Sequence, residues 1–107
     1  MTLKVLVTGS RDWTDARRVE LEIFRALYET KTPHREAVLI HGACPTGADA
    51  LAVEYARVTG MHIVRNAEMV DLAPDICLAF IRNGSRGASM TATLAETGGV
   101  ETRRFLA

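Results

Sequence analysis

Short apolar runs and stretches of helical periodicity alternate along this chain from one end to the other. Leu3 to Val7 is a continuous apolar run ended by Thr8-Gly9-Ser10, the pattern of a strand buried on both faces of a parallel sheet. Thr14 can cap a helix running to about Thr30, in which Val19, Ile23 and Leu27 recur every four residues on one face. Thr32-Pro33-His34 breaks it. Ala37 to Ile40 reads as a second strand, ended by His41-Gly42. Thr46 can cap a second helix, with Ala48, Leu51, Ala52 and Tyr55 on its inner face and Gly60 at its close. Met61 to Val64 is a third strand, residues 66–72 suit one or two helical turns, and Ile76 to Ile81 is the most apolar strand. Gly87 to Thr97 reads as the last helix, closed by Gly98-Gly99, and Val100 to Leu106 as a weaker final strand.

Apolar strands separated by amphipathic helices imply a parallel sheet covered on both faces. Right-handed crossovers then wind the chain in both directions from the first strand. The expected fold class is α/β: a Rossmann-like, doubly wound parallel sheet of about five strands with helices on both faces. Residues 1–107 carry no linker or low-complexity segment and read as a single domain.

Charge narrows the partners. Thirteen Lys plus Arg balance thirteen Asp plus Glu, whereas a nonspecific duplex-DNA binder is usually strongly basic. No apolar run approaches the roughly 18 residues of a membrane span, so no membrane partner is expected. The opening residues lead straight into a strand pattern and not into a secretory leader. Cys44 and Cys77 are the only cysteines and have no metal-type spacing. The expected location is a reducing cytoplasm.

In open parallel sheets ligands bind beyond the carboxyl ends of the strands, so the loops leaving the strands carry the chemistry. They are Gly9-Ser10-Arg11-Asp12, then His41 to Asp49, then Arg65-Asn66, then Arg82 to Gly87. Arg11, Arg65, Arg82 and Arg86 would line one edge of a protein that is neutral overall. Glycines let backbone amides approach a ligand, helix N-termini offer free N–H groups, and arginine adds bidentate bonds to phosphate. The candidate ligand-binding residues are Gly9, Ser10, Arg11, Asp12, Gly42, Ala43, Thr46, Gly47, Asp49, Arg65, Asn66, Gly84, Ser85, Arg86 and Gly87.

Neither nucleotide fingerprint is complete. Gly42 to Gly47 begins as GxxxxG but continues Ala48-Asp49 in place of Lys and Ser or Thr, and Gly84 to Gly87 is GxxG only. No cofactor is expected. His41, Cys44 and Asp49 match no standard metal site. Cys44 reads as a small residue filling a tight turn, with a nucleophile near a helix N-terminus as the alternative, and Cys77 reads as core. His34 and His62 look like surface or strand-end residues, and Met69 and Met90 like core gap fillers. Two readings stay open for Trp13: stacking on a ligand base or packing over the first helix. Two stay open for Asp49: touching ligand, or fixing its loop through backbone amides.

Val7-Thr8-Gly9-Ser10-Arg11-Asp12-Trp13, His41-Gly42-Ala43-Cys44-Pro45-Thr46-Gly47-Ala48-Asp49, Arg65-Asn66-Ala67-Glu68-Met69 and Gly84-Ser85-Arg86-Gly87 follow one another in order. Together they closely resemble the YspA-like, YpsA-related branch of the SLOG superfamily, over nearly the whole chain. That superfamily includes the LOG phosphoribohydrolases, the DprA single-strand DNA-binding proteins and nucleotide sensor domains. The resemblance implies a Rossmann-like fold, a site for a nucleotide-derived or phosphoribosyl ligand, and a homodimer or higher homo-oligomer. LOG enzymes place a glutamate of a PGGxGTxxE motif where this chain has Thr91, and Thr cannot act as a carboxylate base. Asn66 replaces the lysine of the LOG pair that Arg65 begins. A polar segment usual before the arginine is also shortened, since Val64 runs directly into Arg65.

Three functions follow as expectations. The first is a sensor, carrier or sponge that binds the ligand intact. The second is cleavage of an N-glycosidic or phosphate bond, with Asp12, Glu68 or Asp49 supplying the carboxylate. The third is single-stranded DNA binding along the arginine edge.

Overall fold

A computed structural model of the chain describes residues 2–42, 44–65 and 72–107. The elements run β1 (Leu3–Gly9), α1 (Ala16–Glu29), β2 (Ala37–His41), α2 (Gly47–Thr59), β3 (His62–Arg65), β4 (Ile76–Ile81), α3 (Arg86–Thr97) and β5 (Glu101–Leu106). The strands form one parallel sheet in the order β3-β2-β1-β4-β5. The expected Rossmann-like architecture is present. Winding reverses between β1 and β4, and that is the switch point where such sheets open a crevice at their carboxyl edge.

Strand alternation divides the core between two faces. Val5, Val7, Leu39, Leu78 and Phe80 meet Val19, Ile23 and Leu27 of α1 and Ala48, Ala52 and Ala56 of α2. On the other face Leu6, Ile40 and Cys77 meet Ala95, and Ala79 and Ile81 meet Ala88 and Ala92 of α3. Burial on both faces explains why β4 is apolar throughout. Burial also pushes the Cys77 thiol up to about 12, which leaves it an inert core residue.

Three local expectations need correction. The α1 cap is Asp15, one residue beyond Thr14, because its carboxylate accepts from the Arg18 N–H at 3.1 Å. On α2, Leu51 and Tyr55 pack half-buried against the core as expected, beside the fully buried Ala48, Asp49, Ala52 and Ala56, whose mostly small side chains let the helix lie close. β3 spans His62–Arg65, with Met61 buried just before it. Met90 is 59% exposed and fills no gap, since the alanine stripe of α3 takes the inner side. Met69, and the helical turns expected over 66–72, lie outside the described residues except for Leu72, which packs against the Leu6 cluster.

Among the described residues no helix is long and apolar enough to cross a membrane.

Candidate functional site

The loops leaving β1, β2 and β4 converge on Ser10. Its N–H donates to the Phe80 carbonyl at 2.8 Å, which continues the β1–β4 pairing past the strand end. Its hydroxyl accepts from the Arg82 N–H at 2.7 Å and donates to the Arg82 carbonyl at 3.2 Å. Its own carbonyl accepts from Trp13 N–H at 3.2 Å and from Ala48 N–H at 3.4 Å. Arg82 then reaches across, its Nη1 donating to the Asp12 carbonyl at 3.1 Å. Ser10 is 2% exposed. Its side chain therefore clamps two loops together, and what it offers at the edge is fixed backbone.

Gly47 completes this junction. It has φ +75°, and a Cβ there would overlap the Ser10 carbonyl and crowd the Arg11 backbone. Gly9 has a matching role under α2, where a Cβ would run into that of Ala48 and into the Phe80 carbonyl. Both candidate glycines are thus demanded by close approach of backbone to backbone.

The β2–α2 loop is held from below. Asp49, in the first turn of α2, is 5% exposed, and its Oδ2 accepts from the Gly42 N–H at 3.1 Å and the Cys44 N–H at 3.3 Å. Asp49 thus braces its own loop through backbone amides, as the second reading expects. Burial raises its pKa above the usual carboxylate range, against the lowering effect of those two amides and of His41. His41, at the end of β2, is 8% exposed, and burial lowers its pKa, with Arg65 adding to the effect and Asp49 opposing it.

A folded-state pKa below 6.5 has a definite sign. His41 supports stability fully above its unfolded pKa, and that support declines as pH falls through 6.5 toward the folded value. Asp49 acts in the opposite direction, but in its own window from 3.8 up to its raised value. Denaturant midpoints taken between about pH 7.5 and 5.5 should therefore fall more steeply for the native chain than for His41→Gln. Parallel profiles would show that His41 is not held neutral by the fold.

Trp13 is resolved as core. It is 5% exposed, meets Phe80 edge-on at 5.3 Å between ring centroids, and donates from Nε1 to the Asp15 carbonyl at 3.0 Å. Its ring is not free to stack on a base.

The remaining candidates sit at the same edge. Arg11, Asp12, Thr46, Gly84, Arg86 and Gly87 are exposed, and Gly42 and Ser85 half-buried. Arg65 ends β3, two strands from β1 and so about 10 Å across the sheet. Ala43 and Asn66 lie outside the described residues, as does Glu68. Asn83 and Gly84, with φ of +54° and +63°, turn the chain left-handedly into α3. Arg86 is then the first residue of the helix.

The helix ends differ in a way that matters chemically. Asp15 caps α1 with its side chain, whereas Thr46 and Ser85 make no side-chain cap bond at α2 and α3. Of these two, α2 carries buried Asp49 in its first turn and α3 carries no acid there. The α3 end is consequently the more favourable place for an anion. Thr91 donates its hydroxyl to the Gly87 carbonyl at 3.2 Å.

Sequence reasoning named Arg82 only as one arginine of the edge; its guanidinium bond to Asp12 is visible only in three dimensions. It also passed over a small cavity of about 300 Å³ beside this edge, lined by Trp13, Asp15, Arg18, Arg82 and Leu106 among others. A wider open depression of about 600 Å³ lies along α1 over Leu21, Phe24 and Tyr55, its walls coming chiefly from that helix.

Comparison with known proteins gives one family. Residues 3–76 match the model of the YspA, cpYpsA-related SLOG family, a stretch that holds β1 to the start of β4 and so the Gly9–Asp12 and His41–Asp49 loops. The Gly84–Gly87 loop and α3 lie beyond the matched stretch. No curated protein and no solved structure matches the chain. With more than half of its residues matched, and with the doubly wound sheet in place, the chain belongs to the YspA, cpYpsA-related SLOG family.

Proposed function

We propose that the carboxyl edge of the sheet binds a nucleotide-derived or phosphoribosyl small molecule and releases it intact, as a sensor, carrier or sponge. Family membership points to nucleotide-related ligand binding or processing in general. The observation that carries the finer reading is the α3 N-terminus. It has no side-chain cap bond, no acid in its first turn and Arg86 as its first residue. It follows directly on the Arg82 loop that Ser10 clamps to β1. A phosphate placed there would meet free backbone N–H groups, a partial positive charge and a bidentate donor.

Binding without cleavage is supported by the carboxylates. Asp49 is committed to two backbone amides, and Thr91 stands where the LOG glutamate would be. Asp12 remains as an exposed acid on the edge, so a test must follow the ligand's fate.

A thermal-shift screen against nucleoside monophosphates, ADP-ribose, cyclic nucleotides and ribose 5-phosphate tests the reading. A compound that binds only the folded chain raises its melting temperature. Arg86→Ala should weaken the best hit about 10- to 100-fold, the range for one charge-assisted contact, and chromatography should recover the ligand unchanged. Release of free base or phosphate would put cleavage in its place. A hit indifferent to Arg86→Ala would move the site off the α3 end, and no hit at all would end the reading.

A further inference from the structure

The small cavity beside the carboxyl edge holds two arginines from different elements. It encloses about 300 Å³ and is lined by Trp13, Thr14, Asp15, Arg18, Arg82 and Leu106 among others. Arg18 comes from α1 and Arg82 from the loop that follows β4. The cavity opens on the α1 face of the sheet, where the Trp13 ring meets Phe80 in the core cluster of that face. α3 packs on Ala79 and Ile81 of the opposite face. The cavity and the α3 end are therefore separate places.

Both guanidiniums are held in place. That of Arg18 lies 4.9 Å over the Phe105 ring, and its Nε ion-pairs with Glu22 at 2.9 Å. That of Arg82 donates from Nη1 to the Asp12 carbonyl at 3.1 Å, and the Arg82 main chain is clamped by Ser10. Neither is used up by these contacts. Glu22 also pairs with Arg25 at 3.3 Å, so one buried carboxylate answers two guanidiniums. Arg82 pairs with no carboxylate among the described residues. Asp15, the acid in the lining, stands against two cations. Positive charge is left over in a partly enclosed space, where it is screened less than on open surface.

We infer that this cavity is an anion site and that the group it takes is a phosphate. A carboxylate has two oxygens, and one guanidinium fork uses both. A phosphate has at least three terminal oxygens around a tetrahedral centre. It can accept from two forks that reach it from α1 and from the β4 loop. The contacts that hold the arginines are made without a ligand, so little side-chain freedom is lost on binding. Trp13 and Leu106 add an apolar wall for a small organic body esterified to the phosphate. The inference does not depend on the ligand proposed for the α3 end.

Titration of the isotope-labelled full chain with inorganic phosphate, followed by proton–nitrogen correlation NMR, tests it. Trp13 is the single tryptophan, so its indole N–H gives one signal from the cavity wall. Phosphate should move that signal saturably, and acetate at matched ionic strength should not. Arg82→Gln and Arg18→Gln should each weaken phosphate about 10- to 100-fold, with the circular dichroism spectrum unchanged. Arg18→Lys, which keeps a cation beside Glu22 but lacks the fork, should weaken it as well. Arg86→Ala, at the α3 end, should bind phosphate here as the native chain does. Glycerol phosphate binding more tightly than inorganic phosphate would support a phosphate ester as the occupant, and equal binding would support the free ion. No saturable shift, an equal response to acetate, full affinity in folded Arg82→Gln, or loss of the response in Arg86→Ala would each overturn the inference.

Discussion

Gly47→Ala should cost this domain about 3 kcal/mol or more, from a left-handed backbone strain of about 1–2 kcal/mol and overpacking of about 1–3 kcal/mol. Gly47 has φ +75°, and the added methyl would enter the Ser10 carbonyl and the Arg11 backbone. These are main-chain atoms held on several sides: Ser10 is bonded to Phe80, Arg82, Trp13 and Ala48. They cannot swing aside as a flexible side chain would. Relief would require separating α2 from β1, and Gly9, Ala48 and Ala52 make that contact a close one. Domains of this size hold only about 5–15 kcal/mol in total, so the loss would be a large share.

Gly84→Ala supplies the control. Its φ of +63° carries a similar backbone strain, but a Cβ there meets nothing within 4 Å. Only the conformational cost of about 1–2 kcal/mol should appear. Denaturant midpoints of the two variants separate the contributions. Equal losses would mean that the three-loop junction around Ser10 is looser than its hydrogen bonds imply.

This junction also marks where sequence reading succeeds and where it stops. The three central strands β1, β2 and β4 were legible because each is an apolar run, and a parallel sheet buries both faces of such a strand; β3 and β5, at the two edges, carry polar residues and gave a weaker signal. Gly60 was legible as a helix end because its left-handed backbone, φ +85°, favours glycine. Helix faces were harder. Met90 draws attention as a large residue, yet α3 lies on the sheet through the small stripe Ala88-Ala92-Ala95, as α2 does through Ala48-Ala52-Ala56 with Leu51 and Tyr55 packed at its margin. That four- and three-residue alanine spacing was present in the sequence, and it was the better guide.

Polar loop residues were the least legible, for a physical reason. Ser10 and Asp49 belong to the residue types that bind phosphates and also to those that satisfy loop amides. Nothing in their spacing says which donor will be nearest. Only the positions of Arg82, Gly42 and Cys44 in space reveal that both side chains are spent on the protein's own backbone.

Asp49 therefore invites a pair of substitutions with opposite outcomes. Asp49→Ala should lose about 2–4 kcal/mol, the cost of leaving two amides without a charged acceptor. Asp49→Asn should stay within about 1 kcal/mol of the native chain, because a single oxygen, Oδ2, accepts both bonds and an amide carbonyl can stand in its place. The asparagine also has no charge to bury. The native carboxylate, its pKa raised chiefly by burial, burdens the folded state at neutral pH, and that burden lifts as pH falls through the raised value toward 3.8. In that acidic window the native chain should gain on Asp49→Asn, whose stability lacks this slope. The same pair separates a brace from a ligand contact. If Asp49 only holds the Gly42–Thr46 loop, ligand affinity measured by calorimetry should survive in Asp49→Asn and fall in Asp49→Ala. If affinity disappears in both while Asp49→Asn remains fully folded, the carboxylate itself meets the ligand, and its bonds to Gly42 and Cys44 describe only the unliganded loop.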